Sequence, residues 1–455
     1  MADIDVPACG SNYERNRCPA RRWIYLLIGL PVWLFFPVSI IASETTPVAE
    51  DTTSTPVIFA IIVAGNRLTT EAFILREMRL KPGMLADARR LDADRAHLMS
   101  LGLFNRVELK VASDQGRAVV QVEVSESLHL YPFFILNWDP DKPSRRTYGL
   151  TLYHNNFRGL GARLGGAVWQ GSSRGFTLFH QDPWFSFGRF GLDAQILYNT
   201  GEIRNAADSL LQRDLFALSA VFRQRLGLQN WLDIGANWQT VDASLDSYTL
   251  TAGNRDRVFS LNSALSADHR DYCYYPTRGI LFRVAAEANL AVDEPHYFYR
   301  ESLEFRRYRS FRSIIVAWRV VGRFAQQPLP ENYNLAVNSE LIRAGESYET
   351  GRGGLAATNL ELRFNLRRMR YYSFPRAPLL GKYLENLKFS VEGVVFGDAG
   401  MAFEYRGSVT KEFRAAGGGL QFQVPFLETV HLLAGWTPQD RLPEPWILVG
   451  VGVTY

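Results

Sequence analysis

The sequence predicts a mainly β protein: a closed antiparallel transmembrane β-barrel of about sixteen strands, preceded by one small α+β domain of order β-α-α-β-β. Three observations predict it. Beyond Tyr131, strands of about ten residues alternate apolar and polar positions to the end of the chain, as in a sheet with lipid on one face and water on the other. Gly, Tyr, Trp and Phe are spread through that region beside many arginines, a mixture suited neither to a soluble core nor to a helical membrane bundle. Between Val57 and Val124, by contrast, the hydrophobic period passes from that of a strand to that of a helix and back.

The chain has 455 residues, too many for one small domain. Its 21% charged residues and net charge of +4 exclude a disordered chain and one dedicated to nucleic acid. The long apolar run Trp23 to Ile41 follows Arg15, Arg17, Arg21 and Arg22 and precedes the small residues Ala42 and Ser43. That layout predicts a signal peptide over residues 1–43, cleaved near Ala42–Glu44. An uncleaved anchor is the alternative, but Pro31 and Pro37 interrupt the run and a polar Thr/Pro-rich leader, residues 44–56, follows it. Cys9 and Cys18 precede the run, so an exported chain keeps Cys273 alone, which allows no intramolecular disulfide and no cysteine metal cluster.

Folded sequence begins at Val57. The β-branched run Val57 to Val63 reads as a strand, closed by a turn at Gly65-Asn66. Helical segments are expected over Thr69 to Met78, capped by Thr69 or Thr70 and terminated by Lys81-Pro82-Gly83, and over Asp87 to Ser100. Leu91, Leu98 and Leu101 recur at helical spacing, so one stripe of the second helix faces the sheet. Leu101-Gly102-Leu103-Phe104 then leads into a strand at Val107 to Val111, and Val120, Val122 and Val124 alternate in the last one.

In the barrel region, Ile314, Val316, Trp318, Val320 and Phe324 face lipid, whereas Ser313, Ala317, Arg319 and Arg323 face water. Ile280, Phe282, Val284 and Leu290 likewise oppose Arg283, Glu287 and Asn289, and Leu360, Leu362 and Phe364 oppose Glu361 and Arg363. An even strand count returns both ends of the sheet to one side of the membrane, and closure spares an edge strand its unpaired backbone groups in lipid.

No catalytic arrangement stands out. The seven histidines lack metal-ligand spacing, and Gly351-Arg352-Gly353-Gly354 precedes no phosphate-binding helix, so no enzyme activity, metal or cofactor is expected.

Several short motifs then fall in a fixed order. I-x-V-x-G-N at Ile61 to Asn66, an amphipathic helix, K-P-G at Lys81 and L-G-L-F-x-x-V at Leu101 span roughly seventy residues. Asn155-Asn156-Phe157-Arg158-Gly159-Leu160-Gly161 and Asp182-Pro183-Trp184-Phe185 come next. Asp268-His269-Arg270-Asp271 runs to Tyr275-Pro276-Thr277-Arg278-Gly279, and Phe396-Gly397-Asp398-Ala399-Gly400 lies further on. This series resembles the BamA/TamA superfamily of outer-membrane assembly barrels, with residues 57–127 similar to its POTRA domain and residues 128–455 to its barrel.

The resemblance implies an outer-membrane barrel with its POTRA domain in the periplasm. It implies a long loop folded back into the lumen that sets the arginine of an R-G-Y/F motif against acidic residues of the wall. Arg343 in Leu341-Ile342-Arg343-Ala344-Gly345 fits that arginine, although Ala344 intervenes before the glycine, and Arg352 is the competing candidate. Parity places Glu361 on the inner face, and Lys388, Ser390, Glu392 and Asp398 together on that face of their strand, so Glu361 and Asp398 are the expected partners. The last strand, Trp446 to Tyr455, alternates apolar residues with Gly450 and Gly452 and runs through Val453 to a terminal Tyr455, resembling the bacterial β-signal. The implied function is insertion or translocation of polypeptides by strand templating. Expected partners are unfolded or partly folded outer-membrane or secreted polypeptides, periplasmic accessory proteins, the lipid bilayer and lipopolysaccharide, with no nucleic acid. A two-partner-type secretion pore and a passive porin or surface antigen are the alternatives.

Overall fold

The computed structural model describes residues 55–451 apart from 115–116, 139–145, 187–189, 205–209, 246–247, 252, 295, 327–328, 330, 338–339, 344–347, 352, 375–380, 382, 405–406, 426–427 and 438–445. The expected signal peptide, nearly all of the leader, and Val453 and Tyr455 lie outside the described residues.

The small domain runs β1 (Val57–Ala64), α1 (Glu71–Arg76), α2 (Ala88–Ser100), β2 (Phe104–Asp114) and β3 (Arg117–Glu126). Its sheet order is β1-β3-β2, with β1 parallel and β2 antiparallel to β3. A parallel pair needs a crossover, and the two helices provide it. They bury Phe73, Ile74 and Leu98 against Ile58, Val120 and Val122 of the sheet. Each helix starts at a polar cap: the Thr70 hydroxyl accepts the Phe73 N–H (3.3 Å) and the Asp87 carboxylate the Arg89 N–H (3.0 Å).

The first helix is shorter than its periodicity suggests, and Lys81-Pro82-Gly83 does not end it. It stops at Arg76, with Glu77 as its cap. Met78 and Leu80 leave the helical path and are fully buried, which stabilises the domain by about 1.5–3 kcal/mol for each such side chain. The carboxylate of Asp94, buried on the inner face of α2, accepts the Arg79 and Leu80 N–H groups (3.0 and 2.9 Å) and so holds the departing chain. Lys81 to Met84 instead form a turn against β1, with Ile58 N–H donating to Met84 O and Gly83 N–H to Ile58 O (both 2.8 Å).

The second unit is one antiparallel sheet of sixteen strands. Its first half comprises β4 (Leu130–Trp138), β5 (Arg146–Phe157), β6 (Ala162–Gly171), β7 (Ser173–Ser186), β8 (Phe190–Arg204), β9 (Leu210–Arg225), β10 (Asn230–Ala243) and β11 (Arg255–Asp268). β12 (Gly279–Ala291), β13 (His296–Phe311) and β14 (Ile314–Ala325) continue it. The connection after β14 carries a separate two-stranded hairpin, β15 (Leu335–Val337) with β16 (Tyr348–Thr350). The sheet resumes at β17 (Gly353–Tyr372) beside β14, and ends with β18 (Leu387–Phe403), β19 (Val409–Val424), β20 (Glu428–Trp436) and β21 (Trp446–Val451). Its outer strands are β4 and β21, and no pair between them occurs among the described residues.

Burial follows the period of two. On β17, Leu355, Ala357, Asn359, Glu361 and Arg363 are buried while Leu360 is exposed, and on β18 Ser390, Glu392, Phe396 and Asp398 are buried while Val395 is exposed. The outward face carries exposed Phe134, Leu150, Val168, Ile234 and Leu261, an apolar surface of the kind lipid covers. Inside, the β14–β17 connection packs Leu335, Val337, Leu341 and Ile342 against Val321, Leu355, Ala402 and Phe413 of the wall. The apolar inward side chains of this region are therefore packed. Arg319, expected to face water, is 7% exposed and donates to Glu304 (2.8 Å) and to the Glu340 carbonyl of the connection (2.7 Å).

Candidate functional site

The inner connection is fixed at Arg343. Leu341 and Ile342 anchor the preceding backbone in the apolar cluster, and Asn359 on β17 donates to the Leu341 carbonyl (2.8 Å). Asp398 on β18 then accepts three donors from one residue: the Arg343 backbone N–H (3.0 Å), Nε (3.0 Å) and Nη2 (2.8 Å). Arg343 Nη1 reaches Glu361 at 2.6 Å, and Arg363 Nε donates to the other oxygen of Glu361 at 2.5 Å. Two carboxylates and two guanidiniums thus alternate and balance, which a buried cluster requires.

The wall residues meet because Asn359 stands opposite Asp398 and Glu361 opposite Phe396, so both carboxylates share the inner face of adjacent strands. Phe396 lies 3.9 Å beneath the Arg343 guanidinium. Gly400 leaves space that a β-carbon would take, 3.0 Å from Ile342 Cδ1. Phe396, Asp398 and Gly400 therefore serve one purpose, as ring, acceptor and clearance for a loop pressed onto them. Arg352 lies outside the described residues.

The remaining motif residues gather at the other end of the sheet, where the small domain is seated. Asp182 accepts the Trp184 N–H (2.8 Å), and Pro183 lies between them. Trp184 Nε1 donates to Glu77 (2.5 Å), and its ring sits between Arg76 (5.0 Å) and Arg225 (4.5 Å). Glu77 also accepts from Arg225 (2.9 Å) and meets His97 Nε2 at 2.8 Å. Burial acts to raise the Glu77 carboxyl, but the His97 hydrogen bond, the Arg225 charge and the Trp184 N–H hold it below the ordinary carboxylate value.

The Asn155–Gly161 turn makes the second contact with the domain. Asn156 donates to the Thr69 hydroxyl (2.8 Å) and Gly159 O accepts the Thr70 N–H (3.0 Å). Gly159 has φ +72°, and a β-carbon there would lie 2.0 Å from Leu68 O; at Gly161 one would lie 2.4 Å from the Phe73 ring. Below this contact Glu126 accepts the N–H groups of Arg67 (3.1 Å), Leu68 (3.1 Å) and Thr69 (2.7 Å). Burial raises its carboxyl, but His129, with Nε2 3.7 Å away, and these amides bring it down to about 2.

Asp271 organises the β11–β12 connection, accepting the Thr277 and Arg278 N–H groups (2.9 and 3.1 Å). Pro276 offers its carbonyl to Arg363 (3.5 Å), Arg278 is exposed, and Gly279 opens β12. Gly450 stands opposite His431 on β20. Sequence reasoning missed Glu77, Arg225 and Glu126; the only local signal was a carboxylate placed where a solvated helix end or strand end would serve equally well.

Residues 56–127 match the family model for the POTRA domain described as surface antigen variable number repeat, and residues 156–352 match the Omp85 superfamily domain. The fold is similar to BamA from Haemophilus ducreyi lacking POTRA domains 1–3, with 16% identity and a TM-score of 0.50, covering 88% of this chain and 85% of that one. It is also similar to CdiB from Escherichia coli, with 12% identity and a TM-score of 0.54, covering 90% and 93%. CdiB from Acinetobacter baumannii matches with 11% identity and a TM-score of 0.52 over 88% and 73%. No curated protein sequence matches the chain. Fold and domain content define an outer-membrane β-sheet protein with a periplasmic POTRA domain. The chain belongs to the Omp85 superfamily, of the BamA/TamA type, whose members are non-enzymatic barrels that insert or translocate polypeptides.

Proposed function

We propose that this protein inserts client polypeptides into the outer membrane, or passes them across it, by backbone templating. The observation that carries this reading is the fully buried Arg343 between Asp398 and Glu361, which holds the extracellular β14–β17 connection inside the lumen. A passive pore has no use for a loop locked into its channel, nor for a docked POTRA domain.

Closure of the sixteen strands into a barrel is part of the proposal. Tyr274 contacts both Arg163 on β6 and Thr429 on β20, the third and fifteenth strands of the sheet. In a flat sheet those strands would stand about 58 Å apart at about 4.8 Å per strand, so the sheet curls and carries β4 towards β21. That seam is one place where a client strand adds. The second is the outer edge of β1 beyond Ile58, where Phe59 and Ile62 are exposed.

We assign residues 1–43 as a signal peptide, 44–56 as a leader, 57–127 as the POTRA domain and 128–455 as the barrel. The partners we assign are unfolded or partly folded outer-membrane or secreted polypeptides, periplasmic accessory proteins, the bilayer and lipopolysaccharide. Depletion followed by outer-membrane proteomics tests the role. Loss of many barrels supports an insertion factor, loss of one secreted protein supports a two-partner-type transporter, and an unchanged proteome refutes both.

A further inference from the structure

The β11–β12 connection is not a tight turn. Ten residues, 269–278, separate the two strands. The excursion is braced from within: Arg270 forks onto Asp268 (2.8 and 2.7 Å) and donates to the Cys273 carbonyl (3.2 Å), while Asp271 holds Thr277 and Arg278.

Its tip touches three parts of the molecule. On the POTRA side, Cys273 N–H donates to Ser100 Oγ (3.1 Å) and its thiol to Ser100 O (3.0 Å). On the walls, Lys388 donates to the Tyr272 hydroxyl (2.7 Å), Thr429 to the Tyr274 carbonyl (3.3 Å) and Arg163 to the Tyr274 hydroxyl (3.2 Å). Beneath the Arg343 cluster, Arg363 donates to Pro276 O (3.5 Å) and lies 5.8 Å over the Tyr275 ring. The cavity left between tip, POTRA domain and wall is about 20 Å³, room for roughly one water.

We propose that this strap, Asp268 to Gly279, closes the periplasmic mouth from inside, and that the POTRA domain and the Arg343 latch hold it shut jointly. The link is Arg363, which is shared between Glu361 and the strap. When Arg343 withdraws, Glu361 keeps only Arg363, and that guanidinium is drawn from the strap towards the unbalanced carboxylates. A client that dislodges either the inner loop or the POTRA domain thereby loosens the same strap. The statement about clients rests on the polypeptide-handling reading; the closure itself does not.

Cys273 makes the strap measurable. In the full chain carrying Cys9→Ser, Cys18→Ser and Ser100→Cys, mild oxidant should join the new thiol to Cys273, tying strap to POTRA domain. Adding Arg343→Ala should slow that reaction at least about fivefold, the effect of losing roughly 1 kcal/mol of restraint. In planar bilayers Arg343→Ala should raise the frequency of channel openings, the disulfide should suppress them, and reductant should restore them. Equal crosslinking rates with and without Arg343, or openings indifferent to the disulfide, would overturn the proposal.

Should Arg343→Ala fail to fold, Lys388→Met with Thr429→Val removes two of the strap's three wall donors, keeping Arg163, and leaves the latch intact. That pair should raise openings by itself, and unchanged openings in a heat-modifiable barrel overturn the proposal as well. No client enters these measurements, so a failed assembly assay beside normal strap behaviour counts against the proposed function alone.

Discussion

Removing Arg343 should destabilise the inner loop by about 3–5 kcal/mol, the range for breaking a buried ion pair by deleting one partner. The asymmetry of the contacts refines this figure. Asp398 would lose two of its three donors, keeping only the backbone N–H of residue 343, whereas Glu361 would keep Arg363. Most of the loss therefore falls on Asp398. Asp398→Ala should cost less than Arg343→Ala, because Arg343 retains Glu361 at 2.6 Å and the Phe396 face at 3.9 Å. In the double variant the loss should fall short of the sum by about 1.5–3 kcal/mol, since the second substitution removes a contact already gone. Arg343→Lys should be intermediate, for an ammonium keeps the charge and loses the fork. The assay is the urea midpoint of the heat-modifiable folded band on gels, beside client assembly in cells. Strictly additive losses would refute the pairing, and an Arg343→Ala variant as stable and active as wild type would refute the latch.

Three further outcomes follow from the same geometry. Val316→Arg on the outward face of β14 should cost about 2–4 kcal/mol in lipid, and Arg319→Ser should also be costly, because it strips Glu304 and Glu340 O of a buried donor; a folded band indifferent to Arg319→Ser would contradict that packing. Gly159→Ala should unseat the POTRA domain while leaving the barrel heat-modifiable, read as new protease cleavage near residues 66–70; continued protection there would contradict the 2.0 Å approach to Leu68 O. Glu126 is held at about 2 in the folded protein against an ordinary 4.5, so its contribution, at most about 3 kcal/mol, is complete above about pH 4.5 and lost as pH falls towards 2. Calorimetry from pH 5.5 to 2.5 should show a steeper loss for wild type than for Glu126→Gln, and parallel curves would exclude that role.

Strand parity was legible because it is local: alternate residues point to opposite faces whatever the rest of the chain does. That rule placed Glu361 and Asp398 on the inner face, and F-x-D-x-G marked where a loop presses on the wall. Helix ends were read less well. The α1 periodicity continues past Arg76, but Met78 and Leu80 gain more from burial than from one further turn, and no local pattern records that competition.

The sequence by itself determined the order of the domains, the alternation of the strands and the residue types available to the lumen, because each is written in neighbours a few positions apart. Tertiary structure decided which charges meet. Glu77 binds Trp184 and Arg225, 107 and 148 residues away, and Arg343 binds Asp398 across 55. Arg319 and Arg363, which read as water-facing charges, are buried and paired with Glu304 and Glu361, since a curled sheet brings distant strands to one interior where burying a charge without a partner is costly.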